Sequence, residues 1–229
     1  MAKNIIITGT SSGIGYELVK IFSAKGHNII ALSRNILPTN DLRLSNVYSI
    51  SFDINNNSDH KVLIEYISKN WKHVDILINN AGVLINKPFS ETTTADFKKV
   101  YFTNVFGVAA IINNILPFAK KGTHVVNISS VGGVQGSAKF SGLSAYSSSK
   151  GALITLTEML AEEYKNSGIF FNVLALGAVQ TKMLEKAFPG YKASCSADEM
   201  AEYIYNFSLK TNNLSNGEVV LVSDITPKR

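Results

Sequence analysis

Short apolar runs alternate along this chain with longer stretches of helical spacing. Ile5 to Thr8, Asn28 to Ser33, Val47 to Ser51, Val74 to Asn79, Thr123 to Ser129, Ile169 to Leu176 and Glu218 to Ser223 carry many β-branched residues and read as seven strands. Several are continuously apolar, as in Ile76-Leu77-Ile78, and such a strand must be covered on both faces. Segments such as the one holding Leu18, Val19 and Phe22 place their apolar residues on one helical face. The alternation predicts an α/β protein: a doubly wound, mostly parallel, seven-stranded sheet with helices on both faces. Ser58 and Asp59 mark the start of the helix through Val62, Leu63 and Tyr66, and Thr93-x-x-Asp96 has the spacing of a capping signal before Phe97. The helix from Phe97 to Leu116 is apolar on several faces, as is Leu153 to Leu160. One face covers the sheet, and the surplus predicts a symmetric interface between equivalent helix pairs.

One strand-to-helix junction carries three glycines. Thr8-Gly9-Thr10-Ser11-Ser12-Gly13-Ile14-Gly15 follows Ile5-Ile6-Ile7 and opens the first helix. Such a turn permits close backbone approach and aims the free N–H groups of a helix start at an anion, which makes it a candidate pyrophosphate cradle. A purely structural glycine turn has the same spacing. Further along, Tyr146-Ser147-Ser148-Ser149-Lys150 sets a phenol and an ammonium four residues apart on one face of the helical run that continues to Tyr164. A tyrosine of ordinary pKa, about 10, exchanges protons poorly at neutral pH, and a neighbouring lysine favours its phenolate. In isolation the pair reads first as an ordinary amphipathic tyrosine and a surface lysine.

At 229 residues the chain has the length of one α/β domain, expected to span 1–229. Hydrophobic residues at 45% and charged residues at 17% describe a folded globule and exclude disordered and fibrous classes. The net charge of +5 suits an anionic ligand, yet the cations are dispersed, so neither nucleic acid nor membrane is expected as a partner. Cys195 is the sole cysteine, which excludes an internal disulfide and points to the cytoplasm. His27, His60, His73 and His124 never fall at ligand spacing, so no metal is expected. Met1 leads within four residues into a strand with no apolar leader, so neither secretion nor membrane insertion is expected.

Taken in order, these motifs resemble the short-chain dehydrogenase/reductase family in its common single-domain, Rossmann-type form, over nearly the whole chain. Thr8-Gly9-x-x-x-Gly13-x-Gly15 matches the family's cofactor turn, and Asn79-Asn80-Ala81-Gly82 the motif after its fourth strand. Asp53 matches the acidic residue that contacts adenine, and Asn104, Ser130, Tyr146 and Lys150 match the catalytic tetrad. The resemblance implies a dinucleotide held by Gly9, Ser11, Ser12, Gly13, Ile14 and Gly15, by Ser33 and Arg34, by Asp53 and Ile54, and by Asn80, Ala81 and Gly82. Tyr146, Lys150, Gly177, Val179 and Thr181 would complete that set. By the same resemblance Tyr146 exchanges a proton with the substrate oxygen while hydride passes between nicotinamide and the carbonyl carbon, and Lys150 lowers the tyrosine pKa and holds the ribose. Ser130 would bond the substrate oxygen; Asn104 would fix a backbone kink and a water leading to Lys150. Ser129 stands beside Ser130, and alignment with the family favours Ser130.

The end of the second strand discriminates between cofactors. A family member using NAD would offer Asp or Glu where Ser33 stands. Ser33 followed by Arg34 suits the 2′-phosphate of NADP(H), which a guanidinium bonds bidentately, and NAD(H) is the less favoured alternative. The second basic residue common before Gly13 is replaced by Ser12. Leu176-Gly177 replaces the family's Pro-Gly, and Ser223-Asp224-Ile225-Thr226-Pro227 replaces its Asp-Gly-Gly ending. The loop between Ser130 and Tyr146 is longer than the family pattern, with Gly132, Gly133, Gly136 and Gly142 giving it freedom and a share in shaping the substrate pocket. Thr181 to Ser196, with Met183, Leu184, Phe188 and Tyr191 among few charges, is expected to form an apolar lid; a surface helix packing Leu184 and Phe188 on the domain is the alternative. The reading is an NADPH-dependent reductase of a small-molecule carbonyl compound, reversible towards the secondary alcohol, working as a homodimer or homotetramer. A 3-oxoacyl carrier-protein reductase is the alternative within the family, with Lys98-Lys99 and Lys120-Lys121 as its candidate surface. A catalytically silent dinucleotide-binding regulator is the alternative from another class, against which the intact Tyr146/Lys150 pair argues.

Overall fold

Successive isoleucines of the first strand enter different cores. Ile5 and Ile7 pack with Leu18, Phe22 and Ile204, whereas Ile6 packs with Leu63, Ile111 and Leu153. This two-residue alternation between two buried faces is what a parallel sheet covered on both sides requires. The computed structural model describes residues 1–210 and 216–222. The elements run β1 (Asn4–Thr8), α1 (Gly13–Ala24), β2 (Asn28–Ser33), α2 (Leu37–Asn40), β3 (Val47–Ser51), α3 (Asn57–Asn70), β4 (Val74–Asn79), α4 (Thr94–Tyr101), α5 (Gly107–Ile115), β5 (Ala119–Ser130), α6 (Ser144–Glu163), β6 (Phe170–Leu176), β7 (Val179–Gln180), α7 (Lys182–Ala187), β8 (Cys195–Ser196), α8 (Ala197–Ser208) and β9 (Val219–Val222). Seven strands form one parallel sheet in the order β3-β2-β1-β4-β5-β6-β9, and β7 pairs with β8 alone. Helices α1 and α8 cover one face, and α3, α5 and α6 the other. Strand order reverses between β1 and β4, the position at which doubly wound sheets open a crevice beyond the carboxyl ends of their strands.

All seven expected strands are present; β2, β3 and β4 have the expected ends, and the other four are shifted. β5 begins at Ala119 rather than Thr123, and its register against β4 shifts between Val74 and Ile76. The last strand is described as Val219–Val222; Ser223 and the Ser223-to-Pro227 ending lie outside the described residues. Helix α3 starts before Ser58, because Asn56 is its cap: the Asn56 side chain accepts the Ser58 N–H at 2.9 Å. The Thr93/Asp96 capping box forms as expected, with the Thr93 hydroxyl accepting the Asp96 N–H at 3.1 Å and the Asp96 carboxylate accepting the Thr93 N–H at 2.9 Å. The helix expected from Phe97 to Leu116 is broken by a π-helical turn, Phe102–Phe106, between α4 and α5. Among the described residues Thr94–Phe118 is the helical run long and apolar enough to span a membrane, and it lies against the sheet through Val108, Ile111, Ile112 and Ile115.

Polar side chains tie the elements together inside. His124 on β5 is fully buried; its Nδ1 faces the Ser208 carbonyl at 3.0 Å and its Nε2 faces Asn172 Nδ2 at 3.1 Å. A carbonyl only accepts, so Nδ1 carries the proton and Nε2 accepts from the amide. Asn172 Oδ1 in turn accepts the Glu218 N–H at 2.8 Å, which links β5, β6, α8 and the entry to β9.

Candidate active site

The glycine turn is held open by sterics. Gly9 sits at φ +75°, and a Cβ there would lie 2.8 Å from Ala81 Cα; a Cβ on Gly15 would lie 2.2 Å from the Gly9 carbonyl oxygen. Thr8 Oγ1 accepts the N–H groups of Asn80 and Ala81 at 3.0 and 2.9 Å, and Asn80 Nδ2 donates to the Thr8 and Gly9 carbonyls at 3.1 and 3.2 Å. The tips of β1 and β4 are thereby stitched together. No side chain caps α1 and no acid occupies its first turn, so the N–H groups at its start are available to an anion.

This turn forms one side of a cleft of about 660 Å³ at the carboxyl edge of the sheet. Gly9, Ser11, Ser12, Gly13 and Ile14 line it; Gly15 does not, because it packs behind the turn on Gly9. Ser33 lines it too, with its hydroxyl donating to the Asn35 carbonyl at 2.8 Å, while the exposed Arg34 borders the cleft. Asp53 and Ile54 follow β3, and the Asp53 carboxylate accepts the Asn55 N–H at 2.9 Å. Asn80, Ala81, Gly82, Gly177, Val179 and Thr181 complete this part of the lining. Thr181 also caps α7, accepting the Leu184 N–H at 3.2 Å, and its methyl group lies 3.3 Å from where a Cβ on Gly13 would be. The residues present fit a dinucleotide: an uncapped helix start, a turn in which Gly9 and Gly15 admit no side chain, and a guanidinium at the end of β2.

Across the cleft, β5 delivers Ser130 and the first turns of α6 deliver Tyr146 and Lys150. Lys150 is 4% exposed; its Nζ donates to the Ile128 carbonyl at 2.7 Å and lies 5.7 Å from the Tyr146 ring centroid. Burial pushes the Lys150 pKa down to about 8. Burial pushes that of Tyr146 up to about 12, with the neighbouring Ser130 hydroxyl pulling the other way. The direction for Tyr146 is opposite to the one expected from the lysine alone, because desolvation of the phenolate dominates and the Ser130 hydroxyl only partly offsets it. The two adjacent serines separate cleanly. Ser129 Oγ donates to the Lys150 carbonyl at 2.9 Å and serves the packing of α6 on β5, whereas Ser130 Oγ stands next to Tyr146 and accepts the Gly132 N–H at 3.3 Å.

Asn104 is fully buried behind this wall and does not line the cleft. It sits in the π turn, where its Oδ1 accepts the Val83 N–H at 2.8 Å and its Nδ2 donates to the Val83 carbonyl at 2.9 Å and to Ser149 Oγ at 3.0 Å. The π turn interrupts the helix at Asn104, and the side chain clamps the segment leaving Gly82 to the helix carrying Tyr146. In the long loop the expectation for two glycines is corrected. Gly133 is a close-packing residue rather than a flexible one: a Cβ there would lie 2.7 Å from the Gly151 nitrogen of α6, and one on Gly132 would lie 2.9 Å from Ser147 Oγ. Gly136 and Gly142 do take positive φ. Val83, Leu84, Phe140, Leu143 and Lys182 also line the cleft and went unnoticed in the sequence. Phe140 left a signal, a lone aromatic among glycines, serines and a lysine; the others left none. Of the candidate carrier-docking lysines, Lys120 is paired with Asp75 at 2.9 Å and remains half exposed. Among the described residues no cluster of potential metal ligands occurs.

A sequence model of the short chain dehydrogenases matches residues 3–192, and the chain belongs to that family. It is 34% identical over 202 residues to dehydrogenase/reductase SDR family member 7B of Danio rerio, covering 82% of this chain and 64% of that protein. The chain spans 35% to 64% of the length of several curated relatives it matches. A 4-hydroxyisoleucine dehydrogenase mutant complexed with NADH and succinate is similar over 96% of this chain and 97% of that one, with TM-score 0.86 and 25% identity. ElxO with NADP bound is similar over 97% and 98% of the two chains, with TM-score 0.84 and 27% identity. The chain thus has the fold of this family, in which the two similar solved proteins hold NADH and NADP.

Proposed function

We propose that the protein is an NADPH-dependent carbonyl reductase in which Tyr146 is the proton donor. The observation that carries this reading is the convergence of Tyr146, Ser130 and a buried Lys150 on the same cleft as the uncapped glycine turn. When bound, the nicotinamide supplies hydride to the carbonyl carbon. With its pKa pushed up to about 12, Tyr146 keeps its proton at neutral pH and is in the form that can give it to the carbonyl oxygen. Ser130 bonds that oxygen and steadies the charge that develops on it. Lys150 keeps a positive charge beside the phenol and offers its ammonium to ribose hydroxyls, and Asn104 acts indirectly by holding Val83 and Ser149.

Arg34 supports NADP(H) over NAD(H): it borders the cleft, exposed, at the end of β2, and no acid stands at Ser33 to bind a ribose 2′-OH. NADP bound to ElxO is consistent with this, and NADH bound to the hydroxyisoleucine enzyme marks the rival. We further propose that the protein is cytoplasmic, in keeping with its single cysteine, and a homodimer or homotetramer, supported by Phe102, Phe106 and Met159, which leave 49%, 55% and 60% of their surface exposed on neighbouring helices. The test of function is loss of NADPH absorbance against a panel of ketones, aldehydes and acyl thioesters, with both cofactors titrated by fluorescence. Arg34→Glu is expected to weaken NADPH by about 2 kcal/mol or more while NADH suffers far less. Tighter binding of NADH than NADPH by the unmodified protein contradicts the cofactor assignment.

A further inference from the structure

We infer that the carbonyl compound carries a neutral aryl or branched alkyl substituent, held on an apolar wall of Leu84, Phe140, Leu143, Met183, Phe188 and Tyr191. This rests on the reductase reading above and specifies its substrate class. The six side chains come from three separate segments, after β4, after β5 and after β7, and all line the cleft. Phe140, Met183 and Tyr191 leave 51%, 42% and 53% of their surface exposed there. A single exposed apolar side chain is ordinary, but three converging on the cleft that holds Tyr146 form a surface an apolar group would cover.

The wall's segments are tied together by hydrogen bonds to backbone carbonyls. Asn86 Nδ2 donates to the Ala187 carbonyl at the end of α7 at 2.7 Å, and the Lys87 N–H donates to the Gly142 carbonyl at 2.9 Å. Gly142 must lack a side chain for this, since a Cβ there would lie 2.0 Å from Asn86 Oδ1. The three segments are therefore joined across the wall rather than free of one another.

Charge points the same way. Among the described residues the charged side chains lining the cleft are Arg34, Asp53, Lys150 and Lys182. Arg34 and Asp53 follow β2 and β3, beyond β1 from the wall in the sheet order, and Lys150 is buried, with the Ile128 carbonyl and, in the reading above, the ribose hydroxyls as its partners. Among the described residues, Lys182, exposed at the start of α7, is the cleft-lining charge that comes from the wall's own segments. A charged substituent would lose hydration against this wall with at most one exposed cation to compensate an anion and nothing to compensate a cation.

The experiment compares phenyl methyl ketone, its para-carboxylate, its para-trimethylammonium analogue and acetone, by kcat/KM with NADPH and by quenching of bound NADPH fluorescence. The neutral aryl ketone is expected to exceed each of the other three by about tenfold or more in kcat/KM. Phe188→Ala and the milder Phe140→Leu should shrink that preference several-fold with NADPH affinity unchanged, and Lys182→Met should leave the ranking intact. A carboxylate analogue that matches or beats the neutral ketone, with its advantage lost in Lys182→Met, overturns the inference and leaves the reductase reading standing. If no carbonyl is reduced, the reductase reading fails, and the quenching series decides alone: neutral above charged supports the wall, equal affinities overturn it.

Discussion

Burial acts on Tyr146, Lys150 and His124 in one way, by disfavouring whichever form is charged, and the consequences differ with the partner each has. For the phenol and the ammonium, pKa values pushed up to about 12 and down to about 8 leave both groups holding a proton at neutral pH, the combination reduction requires. For His124 burial pulls the pKa from 6.5 down to about 4, with the Ser208 carbonyl opposing. The folded protein therefore binds fewer protons than the unfolded chain between these values. Its contribution to stability is complete above 6.5, falls as pH drops through that window and is lost below about 4, in total about 3 kcal/mol. Urea unfolding at neutral pH and near pH 4.5 should show this slope, and His124→Gln should flatten it even though the variant is weaker at neutral pH. An unchanged slope in the variant would show that other groups govern acid stability. The four candidate catalytic residues were visible as letters in the sequence; the direction of the Tyr146 shift was not, because burial is a property of how α6 packs on β5.

At the scale of elements, the π turn at Phe102–Phe106 joins local chain geometry to the site. An extra residue in a helical turn redirects one side chain, here Asn104, which makes three hydrogen bonds that span from Val83 to Ser149. Asn104→Ala would strand buried groups of Val83 and is expected to cost about 1–3 kcal/mol in stability together with a large drop in kcat. Asn104→Asp should rescue little, since a carboxylate cannot donate to the Val83 carbonyl or Ser149. Melting temperature and kcat measured on both variants check this; full activity in Asn104→Ala would disconnect the clamp from the site. An apolar pattern cannot reveal such a turn, because Phe102, Val105 and Phe106 suit a regular α-helix equally well. Caps were easier to read. Thr93 and Asp96 interact within four residues and form the expected box, whereas Asn56, a plain polar residue among other asparagines, has no mark in the sequence that sets it above Ser58.

The whole molecule was legible where one physical requirement governs many residues. Continuous apolar strands demand two covered faces, and the sheet order with its reversal between β1 and β4 follows that demand. The proposed substrate wall was legible in part: Met183, Phe188 and Tyr191 belong to a segment that is apolar with few charges, but Leu84, Phe140 and Leu143 reach the same cleft only through tertiary contact. Assembly is a whole-molecule property as well. Phe102 and Phe106 pack edge to face at 5.4 Å and remain half exposed, so light scattering at micromolar concentration should report a dimer or tetramer; a species of 24.9 kDa alone would contradict it. The measurement closest to the central claim is Tyr146→Phe, which removes one oxygen and its proton while keeping the ring. With a ketone the unmodified protein reduces, loss of NADPH absorbance should slow by at least about a hundredfold while NADPH affinity stays within a few-fold of the unmodified value. Turnover near the unmodified rate would contradict the assignment of Tyr146 as the proton donor.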